Sequence, residues 1–359
     1  MEVAGPVIEI DGSYGEGGGQ LVRTGIALAT LLGKEIQISN IRARRPKPGL
    51  KAQHFAGVKA LATISEAEVS GLEIGSTKLT FKPRTRLQGA FSFDVGTAGS
   101  ISLVLQAVMP AAAYLPKPMK FEVTGGTDVK WSPTIDYVRF VVLPNLEMMG
   151  YKATLEVHRR GHYPKGGGKI TMLIQPTGKL RSLSLRERSE PQRISGLSHC
   201  VRLPSHVAER QAKAAEAYLR GSGYSDVKVQ VENYAPDKDF HVGSGSGLAL
   251  FCRLSSGSVV GADALGERGK PAESVGREAA GKLTKELSSE MPLDRHMADI
   301  LIPYMAVAEG FSDIATSEIT MHTLTNIWVA EQLVDVKFNV TGEPGKAGRI
   351  SVEGAGLGA

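Results

Sequence analysis

Asp11-Gly12-Ser13-Tyr14-Gly15-Glu16-Gly17-Gly18-Gly19-Gln20-Leu21-Val22-Arg23 is the stretch around which the chain is organised. Before it, the apolar run at residues 7–10 predicts a short strand. After it, apolar residues at Leu21, Val22, Ile26, Leu28, Ala29 and Leu32 predict a helix over 18–32, ended by Gly33. Glycines let a backbone turn sharply or approach a ligand closely, and here they fall where a helix presents unpaired N–H groups, so an anion can dock. Glu16 is the odd member, because a carboxylate in an anion cradle repels its guest unless a cation sits between them. Taken alone, the loop reads first as a turn closing a strand-helix junction, with a metal-bridged phosphate as the alternative. It fits neither a P-loop, which needs Gly-Lys-Ser/Thr, nor a Rossmann fingerprint.

Working outward, residues 36–41 predict the next strand, 47–64 a second helix after Pro46 and Pro48, and 66–70 and 78–82 two more strands. The unit is β-α-β-α-β-β. The same order recurs as strand 90–95, a helix from Thr97 to 114, strand 120–124, helix 132–149 and strands 152–158 and 168–175. Helix starts at Gly18 and Lys47 are matched by Thr97 and Ser132, a repeat at a shift of roughly eighty residues. A third copy is interrupted. Strand 180–185 is followed by helix 206–220, strands 227–232 and 247–254 and helix 273–287, before helix 293–308, strand 313–316, helix 324–333 and strands 336–340 and 349–353. The expected fold is α/β (α+β): three repeated β-α-β-α-β-β units form the main domain over 1–185 and 289–359, with a small α/β domain inserted in the third repeat at 186–288. The Gly-rich tail from Gly354 is expected to fray.

Composition sets the limits. With 359 residues, 42% hydrophobic and 22% charged, the chain is an ordinary soluble enzyme in make-up, and its 42 glycines suit many strand-turn-helix junctions. A net charge of +5 permits a phosphorylated or nucleic-acid partner without requiring one. Cys200 and Cys252 stand far apart with no Cys or His at ligand spacing, which supports neither a disulfide framework nor a zinc site and fits a reducing cytoplasm. The longest apolar run, 101–115, contains Gln106 and Pro110 and is too short to span a bilayer, and no secretory signal is legible. A cytoplasmic protein without a membrane partner is expected; whether it forms a homodimer is left open.

Three further segments carry candidate chemistry. The densest basic patch is Arg42-Ala43-Arg44-Arg45-Pro46-Lys47-Pro48-Gly49-Leu50-Lys51, whose guanidinium forks suit phosphate oxygens. Such a run alone reads as a solvated turn, but it leaves a strand in the same unit as the glycine loop, so the two converge. His158-Arg159-Arg160-Gly161-His162-Tyr163-Pro164-Lys165-Gly166-Gly167-Gly168 joins two strands. No carboxylate or Cys accompanies its histidines at ligand spacing, so a hairpin turn or a phosphate contact is expected there rather than zinc. His322 sits at a strand-helix junction, flanked by hydroxyl residues suited to orient an imidazole, and on spacing alone reads as a capping or packing residue.

Together, Gly15-Glu16-Gly17-Gly18-Gly19-Gln20 with Arg23, Ile41-Arg42-Ala43-Arg44-Arg45-Pro46-Lys47-Pro48-Gly49-Leu50 with Gln53-His54, Gly125-Gly126-Thr127-Asp128, Gly161-His162-Tyr163-Pro164-Lys165-Gly166-Gly167-Gly168 and His322-Thr323-Leu324-Thr325-Asn326 closely resemble the RNA 3′-terminal phosphate cyclases, nearly end to end. The resemblance implies the three-repeat fold with its insert. It also implies ATP-dependent conversion of an RNA 3′-phosphate to a 2′,3′-cyclic phosphate through a covalent histidine-AMP and an RNA-adenylate, releasing AMP and pyrophosphate.

On that resemblance His322 is the nucleophile and Glu16 a ligand of Mg²⁺ or Mn²⁺, while Arg23, Arg42, Arg45, Gln53 and His54 contact phosphates of ATP or RNA. Gln106, Pro133 and Tyr137 help form the nucleotide pocket, the last two by packing on adenine, and His296-Met297-Ala298-Asp299-Ile300 is a further ATP-contacting stretch. The chain departs from the family pattern at His296, where Tyr is frequent, and at Ile300, where Gln is; His296 is left to stack in the aromatic's place. Two rival readings are a non-catalytic relative acting in ribosome assembly and an enolpyruvyl transferase. His322 and the intact glycine loop argue against the first; the second needs neither a covalent histidine nor an insert of this kind.

Overall fold

The computed structural model describes residues 7–85, 89–96 and 98–358. The first unit runs β1 (Ile8–Asp11), α1 (Gly19–Leu32), β2 (Ile36–Ser39), α2 (Ala52–Ser65), β3 (Glu68–Ser70) and β4 (Leu79–Lys82), with sheet order β1-β2-β4-β3. β1 and β2 are parallel, and β4 is antiparallel to both of its neighbours. Helix α1 is apolar nearly all round because it is packed nearly all round. It touches α2, α3 and α9, and Gly33 ends it in the left-handed conformation that glycine adopts without cost.

The second unit repeats the scheme: β5 (Ala90–Asp94), α3 (Ile101–Ala111), β6 (Met119–Gly125), a helical stretch of α4 (Ile135–Tyr137), a π segment (Val138–Val142) and α5 (Leu143–Met148), then β7 (Ala153–Arg159) and β8 (Gly168–Ile174), in order β5-β6-β8-β7. The third begins with β9 (Ser184–Leu185). The chain then leaves it for β10 (Pro191–Val201), α6 (His206–Gly221), β11 (Val227–Glu232), β12 (Gly245–Leu254), β13 (Val259–Leu265) and α7 (Ala272–Ser288), a separate sheet of order β11-β10-β12-β13. It returns with α8 (Arg295–Val307), β14 (Glu309–Thr316), α9 (Met321–Leu333), β15 (Asn339–Thr341) and β16 (Gly348–Ala355). Order β9-β14-β16-β15 reproduces the parallel-first, antiparallel-after pattern of the other two units. One apolar cluster runs through all three units, and a second one fills the space between α6, α7 and the β10–β13 sheet.

Several boundaries differ from the sequence expectation. The second helix begins at Ala52 rather than at 47, because Gly49 closes a tight loop by donating from its N–H to the Ile41 carbonyl at 2.8 Å. A Cβ at Gly49, whose φ is +79°, would come within 2.0 Å of the Gly75 carbonyl oxygen, so the chain can pass there only as glycine. The third helix starts at Ile101, capped by the Ser100 hydroxyl; its expected start at Thr97 lies outside the described residues. Two strands of the 191–288 region, β10 and β13, carry no apolar alternation. β10 contains Gly196 and the buried polar residues Ser198 and His199, and β13 is built largely of small residues. The tail does not fray at Gly354: β16 continues to Ala355, and the Gly356 and Leu357 N–H groups donate to the Ala308 and Val307 carbonyls at 2.9 and 3.1 Å.

The β10–β13 sheet is joined to the second unit by polar contacts that treat it as an extension of the backbone. Asn145, fully buried, donates to the Val259 carbonyl at 2.8 Å and accepts from the Val259 N–H at 3.0 Å, so the β13 edge is paired by a side chain. Asp294, the N-cap of α8, also accepts from the Tyr137 hydroxyl at 2.7 Å and from the Gly261 N–H at 3.0 Å. Deeper still, the buried Arg160 guanidinium donates to both Glu232 oxygens at 2.6 and 2.9 Å and to Asp136 at 2.8 Å. Removing a guanidinium from such a network strands buried carboxylates. Arg160→Met should therefore lower the unfolding free energy by about 3–5 kcal/mol, read as a drop in the urea midpoint; an unchanged midpoint would mean that the acids find other partners.

Candidate active site

The loops that leave the carboxyl ends of the parallel pair β1 and β2 converge, as ligand-binding loops do on open α/β sheets. Asp11 ties them together: its carboxylate accepts from the Ser13 N–H at 3.0 Å and from Asn40 Nδ2 at 3.1 Å. The glycine loop then lies against α9 of the third unit. Tyr14 stacks on Trp328 with ring centroids 4.1 Å apart, and a Cβ at Gly15 would come within 2.5 Å of Thr325 Oγ1. Helix α9 starts three residues before the expected 324, capped by the Thr320 hydroxyl, so His322 belongs to its first turn.

His322 is held between two carboxylates from different units. Its Nε2 lies 3.3 Å from Glu16 Oε2, and its Nδ1 lies 3.7 Å from Asp299 Oδ2 on α8. The hydroxyl residues flanking it serve the helix instead: Thr320 caps α9 and Thr325 donates to the Met321 carbonyl at 2.7 Å. Asp299 raises the imidazole pKa above its ordinary value, with Glu16 adding to it, against the opposing effects of partial burial and Arg23. Asn326, one turn along α9, donates to Asp299 and accepts from the Thr24 hydroxyl at 2.8 Å, which fixes the acid that faces the ring. Asn326 stands in the quoted His322 motif; its four-residue spacing from His322 is the signal that puts both on one helix face.

The second histidine of the site behaves in the opposite way. Burial, followed by the charges of Arg23, Arg42 and Lys51, presses His54 down to about 3. Its Nδ1 accepts from the Lys51 N–H at 3.1 Å, so the hydrogen of this neutral ring sits on Nε2. That nitrogen faces the start of α1, where a Cβ at Gly19 would come within 1.9 Å of it. An N–H donor and a helix N-terminus thus share one spot, an arrangement suited to a phosphate oxygen.

Arg45 reaches Glu16 Oε2 at 3.1 Å, and Arg42 adopts a φ of +57° in the same basic loop. The buried Nε atoms of both arginines, and Gln20 Nε2, have no hydrogen-bond acceptor among the described residues. Burial lowers the Arg23 guanidinium to about 10, with Asp299 pulling the other way. Arg23, Gln106, Asp299 and Ile300 line a narrow open cleft, together with Gln20 and Asn326. Gln53 stands half-buried in the first turn of α2, beside His54. Glu16 fits a hard divalent cation of the Mg²⁺ type, which is commonly held by one or two carboxylates together with the phosphates of a substrate.

Not every expected residue reaches the cleft. Met297 and Ala298 are fully buried on the core side of α8. Tyr137 is 3% exposed with its hydroxyl committed to Asp294, and Pro133 accepts from the Ser102 hydroxyl at 2.6 Å; Val138 and Val142 of the π segment line the cleft from that side. His296 is exposed and meets Tyr137 edge to face at 6.4 Å.

A profile described as RTC, RNA 3′-terminal phosphate cyclase, matches residues 14–340. The RNA 3′-terminal phosphate cyclase of Ignicoccus hospitalis is 49% identical over 349 residues, covering 97% of this chain and 99% of that protein. The one from Pyrobaculum neutrophilum is 51% identical over 350 residues, with 97% and 99% covered. A solved enolpyruvyl transferase, NikO from Streptomyces tendae, overlaps 48% of this chain and 33% of its own at 16% identity and a TM-score of 0.29, too low to bear on fold or function. Among the described residues no helix is long and apolar enough to cross a membrane.

The depressed His54 has a measurable consequence. The folded state keeps this ring neutral down to about pH 3, while the unfolded chain takes up a proton near the ordinary 6.5, so stability falls as pH drops through that window. Between pH 7 and pH 5 His54 alone removes roughly 2 kcal/mol of stability. The difference between urea unfolding free energies at the two pH values should shrink by about that amount in His54→Gln.

Proposed function

We infer that this chain, which belongs to the RNA 3′-terminal phosphate cyclase family, activates RNA 3′-phosphate ends with ATP through a covalent adenylate on His322. The observation that carries the reading is the clamped imidazole: Nε2 lies toward Glu16, and Nδ1 faces Asp299, which itself lines the cleft with Arg23 and Gln106. A 3′-phosphate is a poor electrophile and needs a leaving group. In the first step Nε2 attacks the α-phosphorus of ATP, forming the N–P bond as the bond to pyrophosphate breaks, while Asp299 holds the Nδ1 hydrogen. In the second, an oxygen of the RNA 3′-phosphate attacks that phosphorus and the imidazole leaves. In the third, the neighbouring ribose 2′-OH attacks the 3′-phosphorus, its proton is lost, and AMP departs as the 2′,3′-cyclic phosphate closes. Ring closure rests on proximity, and only a ribose end carries the 2′-OH.

The remaining residues divide the work of holding negative charge. Arg23, Arg42, Arg45, Gln53 and the Nε2–H of His54 supply donors for phosphate oxygens, and Gln106 lies in the cleft beside Asp299 and Ile300. Glu16 is the residue to hold Mg²⁺ or Mn²⁺, which when bound would screen the phosphates of ATP from the two nearby carboxylates. Such chemistry requires a soluble RNA substrate and fits a cytoplasmic location.

Incubation with α-labelled ATP and Mg²⁺, followed by denaturation, should trap an acid-labile, alkali-stable AMP adduct in the wild type and none in His322→Ala. An equal adduct in that variant would sink the covalent step, and absence of one in wild type would favour a binding role. Glu16→Ala should cut adduct formation at least about a hundredfold with an unchanged circular dichroism spectrum.

The pH dependence follows from the raised His322 pKa. Only the neutral ring attacks, so the adenylation rate should fall about tenfold per pH unit below that pKa. Asp299→Asn removes the larger raising influence and should move the midpoint to lower pH; a profile unmoved by this change would detach Asp299 from the nucleophile.

A further inference from the structure

Away from the cleft, the joint between the second unit and the β10–β13 sheet gathers Asp128, His162 and His199, each with a ligand atom within 4.8 Å of the others. No carboxylate accompanies His162 at ligand spacing in the sequence. The fold supplies one from the loop after β6, and β10 brings a second imidazole from the far side of the joint. All three residues are at most 5% exposed.

One ligand-to-ligand distance is that of a coordination shell and a second is a few tenths of an ångström longer. His162 Nε2 and His199 Nε2 face each other at 3.3 Å, and His199 Nε2 stands 3.7 Å from Asp128 Oδ2. Two ligands of a tetrahedral ion with bonds of about 2.0–2.1 Å stand roughly 3.3–3.4 Å apart. A single N–H···N hydrogen bond would account for the imidazole pair but not for what surrounds it. Asp128 Oδ1 and His199 Nδ1 are buried without a hydrogen-bond partner among the described residues. Three carboxylates, Asp128, Asp136 and Glu232, also meet one guanidinium, Arg160. Buried charge in excess is costly unless it is paired or bound to metal. The short contacts of Arg160 go to Asp136 and Glu232, and its Asp128 contact is long at 3.5 Å, so Asp128 is the acid left for another cation.

We propose that Asp128 and the Nε2 atoms of His162 and His199 bind one zinc-type divalent cation that fastens the inserted domain to the second unit. Two imidazoles and a carboxylate suit zinc, with water in the fourth position, whereas Glu16 offers the oxygen donor that a hard cation prefers. His199 Nδ1 lies 3.8 Å from Asp136 Oδ2, and a small rotation of the ring completes the carboxylate-histidine-metal arrangement that fixes a ligating imidazole. Burial and the contribution of ligands from both sides of the joint make the role structural.

The test is metal uptake by the full chain, stripped with a chelator and titrated with Zn²⁺ and with Co²⁺. Wild type should take up one equivalent of Zn²⁺ with an accompanying rise in thermal midpoint, and Co²⁺ should produce the visible absorption bands of a tetrahedral ion. His199→Gln and Asp128→Asn should each weaken Zn²⁺ binding at least about a hundredfold and lose the thermal shift. Glu16→Ala should retain both, which separates this site from the proposed catalytic cation. Two outcomes overturn the proposal: no stoichiometric uptake by wild type at micromolar metal, or uptake and bands unchanged in the two ligand variants. Because the wild-type titration decides alone, a variant that fails to fold does not rescue the idea.

Discussion

The seating of the glycine loop against α9 is the contact on which the rest of this molecule depends. Tyr14 on Trp328 and Gly15 beside Thr325 bring a loop from the first unit to within hydrogen-bond range of a helix start in the third. Glu16 thereby meets His322, and Asp299 meets it from the other side through a helix held by Asp294. No single unit contains this site. The through-going apolar cluster that glues the three units therefore also sets the geometry around His322, and the close packing of α1 between α2, α3 and α9 leaves little freedom for the facing elements to drift.

Two histidines a short way apart are tuned in opposite directions, and the cause in each case is what stands next to the ring. His54 is buried among cations and stays neutral, a fixed N–H donor at a helix N-terminus. His322 is half-exposed between carboxylates and favours its proton. A phosphate site needs the first kind of group for binding without a net charge of its own. The second kind is what the proposed adenylate on His322 calls for, since protonation makes an imidazole the better leaving group.

The fold was largely legible because its signals are local. Alternating apolar strands such as Ile36–Ser39 and a helix as evenly apolar as α1 announce themselves, and the recurrence of one strand-helix order three times needs only the order. β10 and β13 were not legible, since their side chains are small or polar and their burial comes from packing partners distant in sequence; Gly261 sits against Val141, where a Cβ would come within 2.3 Å. In the site, Glu16 and the basic loop are visible as charges placed where glycines and prolines hold the chain open. The pairing of Asp299 with His322, and of Asp128 with two histidines, depends on residues that meet only when separate units close together. The hydroxyls beside His322 misled for the opposite reason: their partners are the nearest backbone groups of their own helix, not the ring.

The two-residue strand β9 must find β14 across the whole β10–β13 excursion, a pairing of Ser184 with Asp313. For an unfolded chain, loop-closure entropy taxes such a long-range contact and delays it. Arg188 changes the topology of that search: it bonds the Leu287 carbonyl at 2.6 Å and lies 3.9 Å from Glu290, so the two ends of the excursion are cinched side by side. Once α6, α7 and their sheet have condensed around their own apolar cluster, the effective loop shrinks to the short link after β9 and the stretch that carries α8 into β14. The third unit then has the connectivity of an uninterrupted one, with a separately packed body hanging from its first connection.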